Sequence, residues 1–137
     1  MKTFFDTSSL IKRYIEEVGS DKVLEICQEA DSLAISIICP IEMISTLNRL
    51  VREKALSPKE YHQVKSLIFS EIEDMEVVPV QPEVVRWSIL ALERSPVRAM
   101  DAIHIGSALL AKPELFVSSD KRQLAAAKKA GLDILSV

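Results

Sequence analysis

Hydrophobic and polar positions change period repeatedly along the chain, dividing it into short strand-like runs and longer helical stretches. The run KTFF at 2–5 is short, apolar towards its end, and stops at Asp6. From Thr7 to Val18 (TSSLIKRYIEEV) apolar residues recur at helical spacing, with Thr7 or Ser8 as the N-cap. The stretch 19–30 predicts a second amphipathic helix with Val23, Leu24, Ile26 and Cys27 inward. SLAISII at 32–38 is β-rich and continuous, as in a strand covered on both faces. Pro40 predicts the opening of a helix that runs to Ala55. Ser57–Glu60 (SPKE) is a capping box with proline in the first turn, and its helix covers the residues up to Asp74.

The alternation continues to the last residue given. MEVVPV at 75–80 predicts a strand, and Pro82 a helix carrying Val84, Val85, Trp87 and Leu90, with Trp87 assigned to the core. RAMDAIHIGSALL at 98–110 predicts a nearly all-apolar helix, ELFVSS at 114–119 a strand, KRQLAAAKKA at 121–130 a short helix stopped by Gly131, and LDILSV a last strand. Strands alternating with helices predict an α/β fold: a three-layer domain spanning 1–137, with a mostly parallel sheet of about five strands between helices. In such sheets the ligand crevice lies beyond the carboxyl ends of the strands.

That edge makes the acids informative. Asp6 and Asp120 each follow a predicted strand, Glu42 follows Pro40 in the first turn of its helix, and Asp101 starts the apolar helix. Each has an ordinary role by itself, as a helix cap or an acid favoured by the helix dipole. Together they put four carboxylates on one side of a sheet, where they repel unless something positive sits among them. A divalent cation answers that need, and an all-oxygen set suits Mg²⁺ or Mn²⁺ rather than Zn²⁺. Ser8 and Ser118 stand beside the strand-end acids as supporting hydroxyls or as turn and cap residues. His104, three residues past Asp101, is read as a core histidine that anchors packing or orients a neighbour.

Charge and composition narrow the classes. The 137 residues carry 17 Lys+Arg against 20 Asp+Glu, a net charge of -3, which argues against a protein that coats DNA. Setting the four acids aside leaves the remainder near neutral. Lys12, Arg13, Arg98, Lys121 and Arg122 flank those acids and are candidate phosphate contacts, with Arg49 and Arg52 further along the helix of Glu42. No segment reaches membrane-span length, and Asp6 interrupts what would be a signal peptide's apolar region. Cys27 and Cys39 fit no metal or redox spacing, so a cytoplasmic location is expected.

FFDTSSLIKRY, IEMISTLNRL, RAMDAIHIGSALL and FVSSDKRQLAAAKKAGL, in this order over the whole chain, resemble the PIN-domain ribonucleases, most of all the VapC-type toxins of toxin–antitoxin pairs. The resemblance implies that Asp6, Glu42, Asp101 and Asp120 are the catalytic and metal-binding residues, with Ser8 and Ser118 assisting. It implies Mg²⁺- or Mn²⁺-dependent endonucleolytic hydrolysis of single-stranded RNA, leaving 5′-phosphate and 3′-hydroxyl ends. It also implies a homodimer neutralised by a small antitoxin. Two other acid-after-strand enzymes fit poorly. A haloacid-dehalogenase-type phosphatase needs a second Asp where Ser8 stands, and a receiver domain needs an Asp after AISII, where none follows. A catalytically silent PIN-fold binding module within a protein complex is the alternative from another class.

Overall fold

A computed structural model describes all 137 residues. Five strands, β1 (Lys2–Phe5), β2 (Ser32–Ser36), β3 (Glu76–Val78), β4 (Leu115–Ser118) and β5 (Ile134–Ser136), form one sheet in the order β3-β2-β1-β4-β5. Every pairing is parallel. Helices α1 (Thr7–Leu10), α2 (Ser20–Glu29), α3 (Ile38–Arg52), α4 (Pro58–Ile72), α5 (Pro82–Arg94), α6 (Ala99–Ala111) and α7 (Lys121–Lys129) make the connections. The expected three-layer α/β architecture is the one observed.

Side-chain alternation along the strands separates two cores. Phe4, Ala34 and Phe116 face α5, α6 and α7, where Val84, Ala91, Ala102, Ile105 and Ala127 close over them. Phe5, Ile35 and Val117 face the other way, onto Leu10, Val23, Met43, Leu47 and Ile68. In the first core the Phe4 and Phe116 rings stack with centroids 5.7 Å apart. The chain builds outward from β1 to β3, then returns across to β4. That reversal makes the C-terminal edge between β1 and β4 the switch point where a crevice opens.

Several boundaries differ from expectation. The helix expected over 7–18 stops after one turn of α-helix and a 3₁₀ turn at Ile11–Arg13. Lys12, nine-tenths buried, turns its ammonium onto the carbonyls of Val18 and Val137, and the Val18 carbonyl is available only because the chain has left the helix. The N-cap of α1 is Asp6, not Thr7 or Ser8. Helix α3 begins at Ile38, two residues before Pro40, which fits within a first turn whose N–H groups lack helical partners anyway. It ends at Arg52 rather than Ala55, with Lys54 left-handed just beyond. The capping box at Ser57–Glu60 forms as expected. Of the four residues assigned inward on α2, Val23 and Ile26 are buried, Cys27 is half-buried and Leu24 is exposed. Trp87 is half-buried rather than in the core, because α5 turns only Val84, Ser88 and Ala91 fully inward.

Candidate active site

Asp6 ends β1 at the centre of the sheet and is buried. Its Oδ1 accepts hydrogen bonds from Ser8 Oγ at 2.8 Å, Ser9 Oγ at 2.9 Å and the Ser9 amide at 3.1 Å. Its Oδ2 accepts from Ser118 Oγ at 2.6 Å, at the end of the adjacent strand β4. Neutral donors thus satisfy a buried carboxylate without cancelling its charge. Ser9 also donates to the Val117 carbonyl, tying the start of α1 to β4. Of the two hydroxyls expected to assist, Ser8 and Ser118 both reach Asp6. Ser9 was missed, although the run Thr7-Ser8-Ser9 directly after the acid was its signal.

Glu42 lies one turn into α3, not in its first turn, because the helix starts early. Its Oε1 accepts from Thr7 Oγ1 and from His104 Nε2, both at 2.6 Å. A carboxylate only accepts, so His104 carries a proton on Nε2 towards Glu42. Burial pushes the Glu42 carboxyl up, but the bonds from His104 and Thr7 outweigh it and hold it below its ordinary value. His104 is almost wholly enclosed, as a core histidine should be, and it orients a neighbour. That neighbour, which the sequence alone left unnamed, is Glu42, 62 residues away in sequence.

Asp101 sits in the first turn of α6, where its Oδ2 accepts weakly from the Arg98 amide. Burial raises its carboxyl above the usual aspartate range, and the charges of Asp120 and Asp6 push it further the same way. Asp120 caps α7 through Oδ1, taking the amides of Arg122 and Gln123. The Gln123 side chain, itself buried, donates to the Asp101 carbonyl and ties α7 to α6. Glu42, Asp101 and Asp120 line one cleft, and Arg98, Lys121 and Arg122 share its walls. Lys12 and Arg13 do not join them. Lys12 is bound to backbone carbonyls, and Arg13 grips both oxygens of Glu71 at 2.8 and 3.0 Å. Arg49 pairs along its own helix with Glu53.

No three histidine, cysteine or carboxylate side chains stand so as to close a coordination shell. Hydrogen bonds explain the spread: Asp6 has both oxygens drawn onto hydroxyls, while Glu42 and Asp120 each have one oxygen held elsewhere. One oxygen on each of Glu42, Asp101 and Asp120 is left without a hydrogen-bond donor. Those free atoms are all hard oxygens, and burial, with the charges of Asp120 and Asp6 adding to it, raises the Asp101 carboxyl. That chemistry fits a divalent cation of the Mg²⁺ or Mn²⁺ type.

The sequence pattern of the PIN domain family matches residues 3–129. No curated protein sequence matches the chain. Among solved structures, a toxin–antitoxin complex from Klebsiella pneumoniae superposes with a TM-score of 0.71 at 18% identity, covering 98% of this chain and 96% of that one. FitAcB from Neisseria gonorrhoeae gives 0.76 at 13% identity over 98% and 96%. VapC20 from Mycobacterium tuberculosis, described as a sarcin–ricin loop cleaving toxin, gives 0.72 at 14% identity over 98% of both. At these identities the likeness is one of fold.

Proposed function

We propose, for a chain that belongs to the PIN domain family, that it is a divalent-metal-dependent endoribonuclease cleaving single-stranded RNA, the toxin of a toxin–antitoxin pair. The observation that carries this is the crowding of Glu42, Asp101 and Asp120 in one cleft walled by Arg98, Lys121 and Arg122, with Asp6 behind them. Three bases beside three acids suit a polyanion whose scissile phosphate meets a cation. Asp6, Glu42, Asp101 and Asp120 would hold the ion. When bound, Mg²⁺ or Mn²⁺ supplies Lewis-acid stabilisation of phosphate charge and lowers the pKa of water.

The chain's own residues do the positioning. Ser8, Ser9 and Ser118 fix the Asp6 carboxylate, and His104 with Thr7 fixes one oxygen of Glu42 so that the other faces the cleft. Arg98, Lys121 and Arg122 hold the phosphates either side of the reacting one. The neighbours of known structure include a toxin–antitoxin complex, which supports an antitoxin as partner. The apolar hollow between α3 and α4, with Ile41 and Phe69 exposed in it, has the chemistry to take that partner's apolar side chains. A cytoplasmic homodimer completes the proposal.

RNA cleavage in Mg²⁺ or Mn²⁺, in EDTA, and with Asp6→Asn or Asp101→Asn tests the mechanism. Changes behind a metal ligand cost about 10–100-fold, so loss of a ligand costs at least about 100-fold. Cleavage that persists in EDTA and in both variants overturns it. Absence of cleavage in the unaltered protein with either metal favours the silent binding module.

A further inference from the structure

Two further clefts lead away from the acidic one. The first, between the end of α5 and α7, shares Pro96 and Arg122 with the acidic cleft. The second, a hollow of about 350 Å³ floored by α5, α6 and α7, shares Arg94, Ser95, Ala126 and Lys129 with the first. The three form one continuous path, from the acidic cleft at the sheet's edge onto the face covered by α5, α6 and α7.

The charged groups of the two outer clefts are all of one sign. No acid lines either outer cleft, while Arg94, Lys112 and Lys129 do. None of these three, nor Arg98, Lys121 or Arg122, is paired with a carboxylate, a condition they share with most cations of the chain, and Lys129 donates to the Arg94 carbonyl at 2.7 Å with its remaining N–H groups free. The path ends at the chain's single tryptophan, half-buried Trp87, beside Leu90. Cations on successive connected clefts that no acid lines, with an aromatic side chain at the far end, are what single-stranded nucleic acid needs: contacts for successive phosphates and a surface for a base.

We infer that this path is the track for the RNA strand flanking the scissile phosphate, with Arg94, Lys129 and Lys112 holding backbone phosphates and Trp87 stacking a base. This rests on the endoribonuclease proposed above. The track makes Trp87 and Lys112 determinants of substrate length, because an RNA confined to the acidic cleft does not reach them. Lys112, left-handed at φ 53° after the end of α6, is set at the hollow by the chain reversal itself.

The test uses the full chain carrying Asp6→Asn, so that RNA stays intact, with randomised single-stranded RNA pools of about 4 and about 16 nucleotides. Trp87 fluorescence and RNA anisotropy are followed in Mg²⁺. The longer pool quenches Trp87 and the shorter one does not. Arg94→Gln with Lys112→Asn and Lys129→Gln, all surface changes, weakens the longer pool at least about tenfold and leaves the shorter unchanged. The triple variant also lowers the slope of log affinity against log salt by about 2, at about 0.7 per phosphate contact. Trp87→Leu weakens the longer pool about tenfold, the value of one stacked base. If both pools bind but the triple variant treats them alike, the track is wrong while the nuclease stands. If the triple variant alters only the oligomeric state, the face is a protein contact and the track is wrong. If neither pool binds, both proposals fall.

Discussion

Gly106→Ala is the substitution whose cost follows most directly from the structure. Gly106 lies on α6 against α5, the most extensive helix–helix contact in the molecule. A Cβ there would sit 2.6 Å from the Val84 carbonyl oxygen and 2.5 Å from Ser88 Oγ. The carbonyl is backbone and cannot rotate away. Ordinary contact begins at 3.4 Å, so α6 must retreat by about 0.8 Å or α5 must deform. Ser88 Oγ donates to that same carbonyl at 2.7 Å, so moving it breaks a buried hydrogen bond worth about 1 kcal/mol. Overpacking costs about 1–3 kcal/mol, and the gain from replacing glycine with alanine in a helix offsets about 1 kcal/mol. The hydrogen-bond loss and the glycine gain cancel, so the net loss expected is about 1–3 kcal/mol.

For a chain of this size that lowers Tm by about 3–12 °C. Urea unfolding should show the midpoint falling with its slope unchanged. Adding Ser88→Ala relieves the hydroxyl contact but not the carbonyl, so it restores less than half. Because α6 also carries Asp101 and His104, a shift approaching 1 Å should reduce RNA cleavage per folded molecule by about 10–100-fold. An alanine variant as stable as the parent would refute this account of the α5–α6 packing.

Two further outcomes follow from particular pairs. His104→Ala removes the donor that holds Glu42, so burial dominates: the Glu42 carboxyl rises, read by carbon NMR titration, and cleavage drops about 10–100-fold. His104→Gln, which keeps a donor, recovers part of both, and an unmoved Glu42 titration would show that the 2.6 Å contact does not hold the acid. Glu71→Gln breaks the two-pronged bond to Arg13, which, against burial, holds the Glu71 carboxyl below its ordinary value. A lowered folded-state pKa stabilises above the unfolded value of about 4.3 and stops doing so as pH falls through the folded one. The variant should therefore lose about 1–2 kcal/mol at neutral pH and progressively less below about pH 4. A deficit that stays constant down to pH 3 would contradict that.

What could be read from sequence was local. KTFF, SLAIS and LFVS carry their strand character in their own residues, and SPKE caps its helix through atoms three residues apart. The early end of the first helix depends on where a buried lysine finds carbonyls, one of them on Val137. The His104–Glu42 pair depends on how α3 and α6 meet across the edge of the sheet, which no spacing within either helix encodes. Arg13 looked like a free cation beside an acid, but its partner Glu71 comes from the end of α4. Trp87 had apolar neighbours in sequence, yet α5 buries a narrow stripe and leaves Val85 and Ile89 exposed on either side of it.

The bond between Ser118 and Asp6 joins residues 112 positions apart, and β1 has β4 as one of its two neighbours in the sheet. During synthesis, at about 5–20 residues per second, Asp6 emerges seconds before its partners on β4 and α7 exist. Until then the central strand has one open edge and the acid lacks its Ser118 donor and the nearby Asp120 charge. The carboxylate set is therefore assembled only when β4 and the start of α7 have left the ribosome and docked. On the proposed nuclease reading the nascent chain is inert, and activity begins only once β4 has docked beside β1 and α7 has brought Asp120 to the cleft.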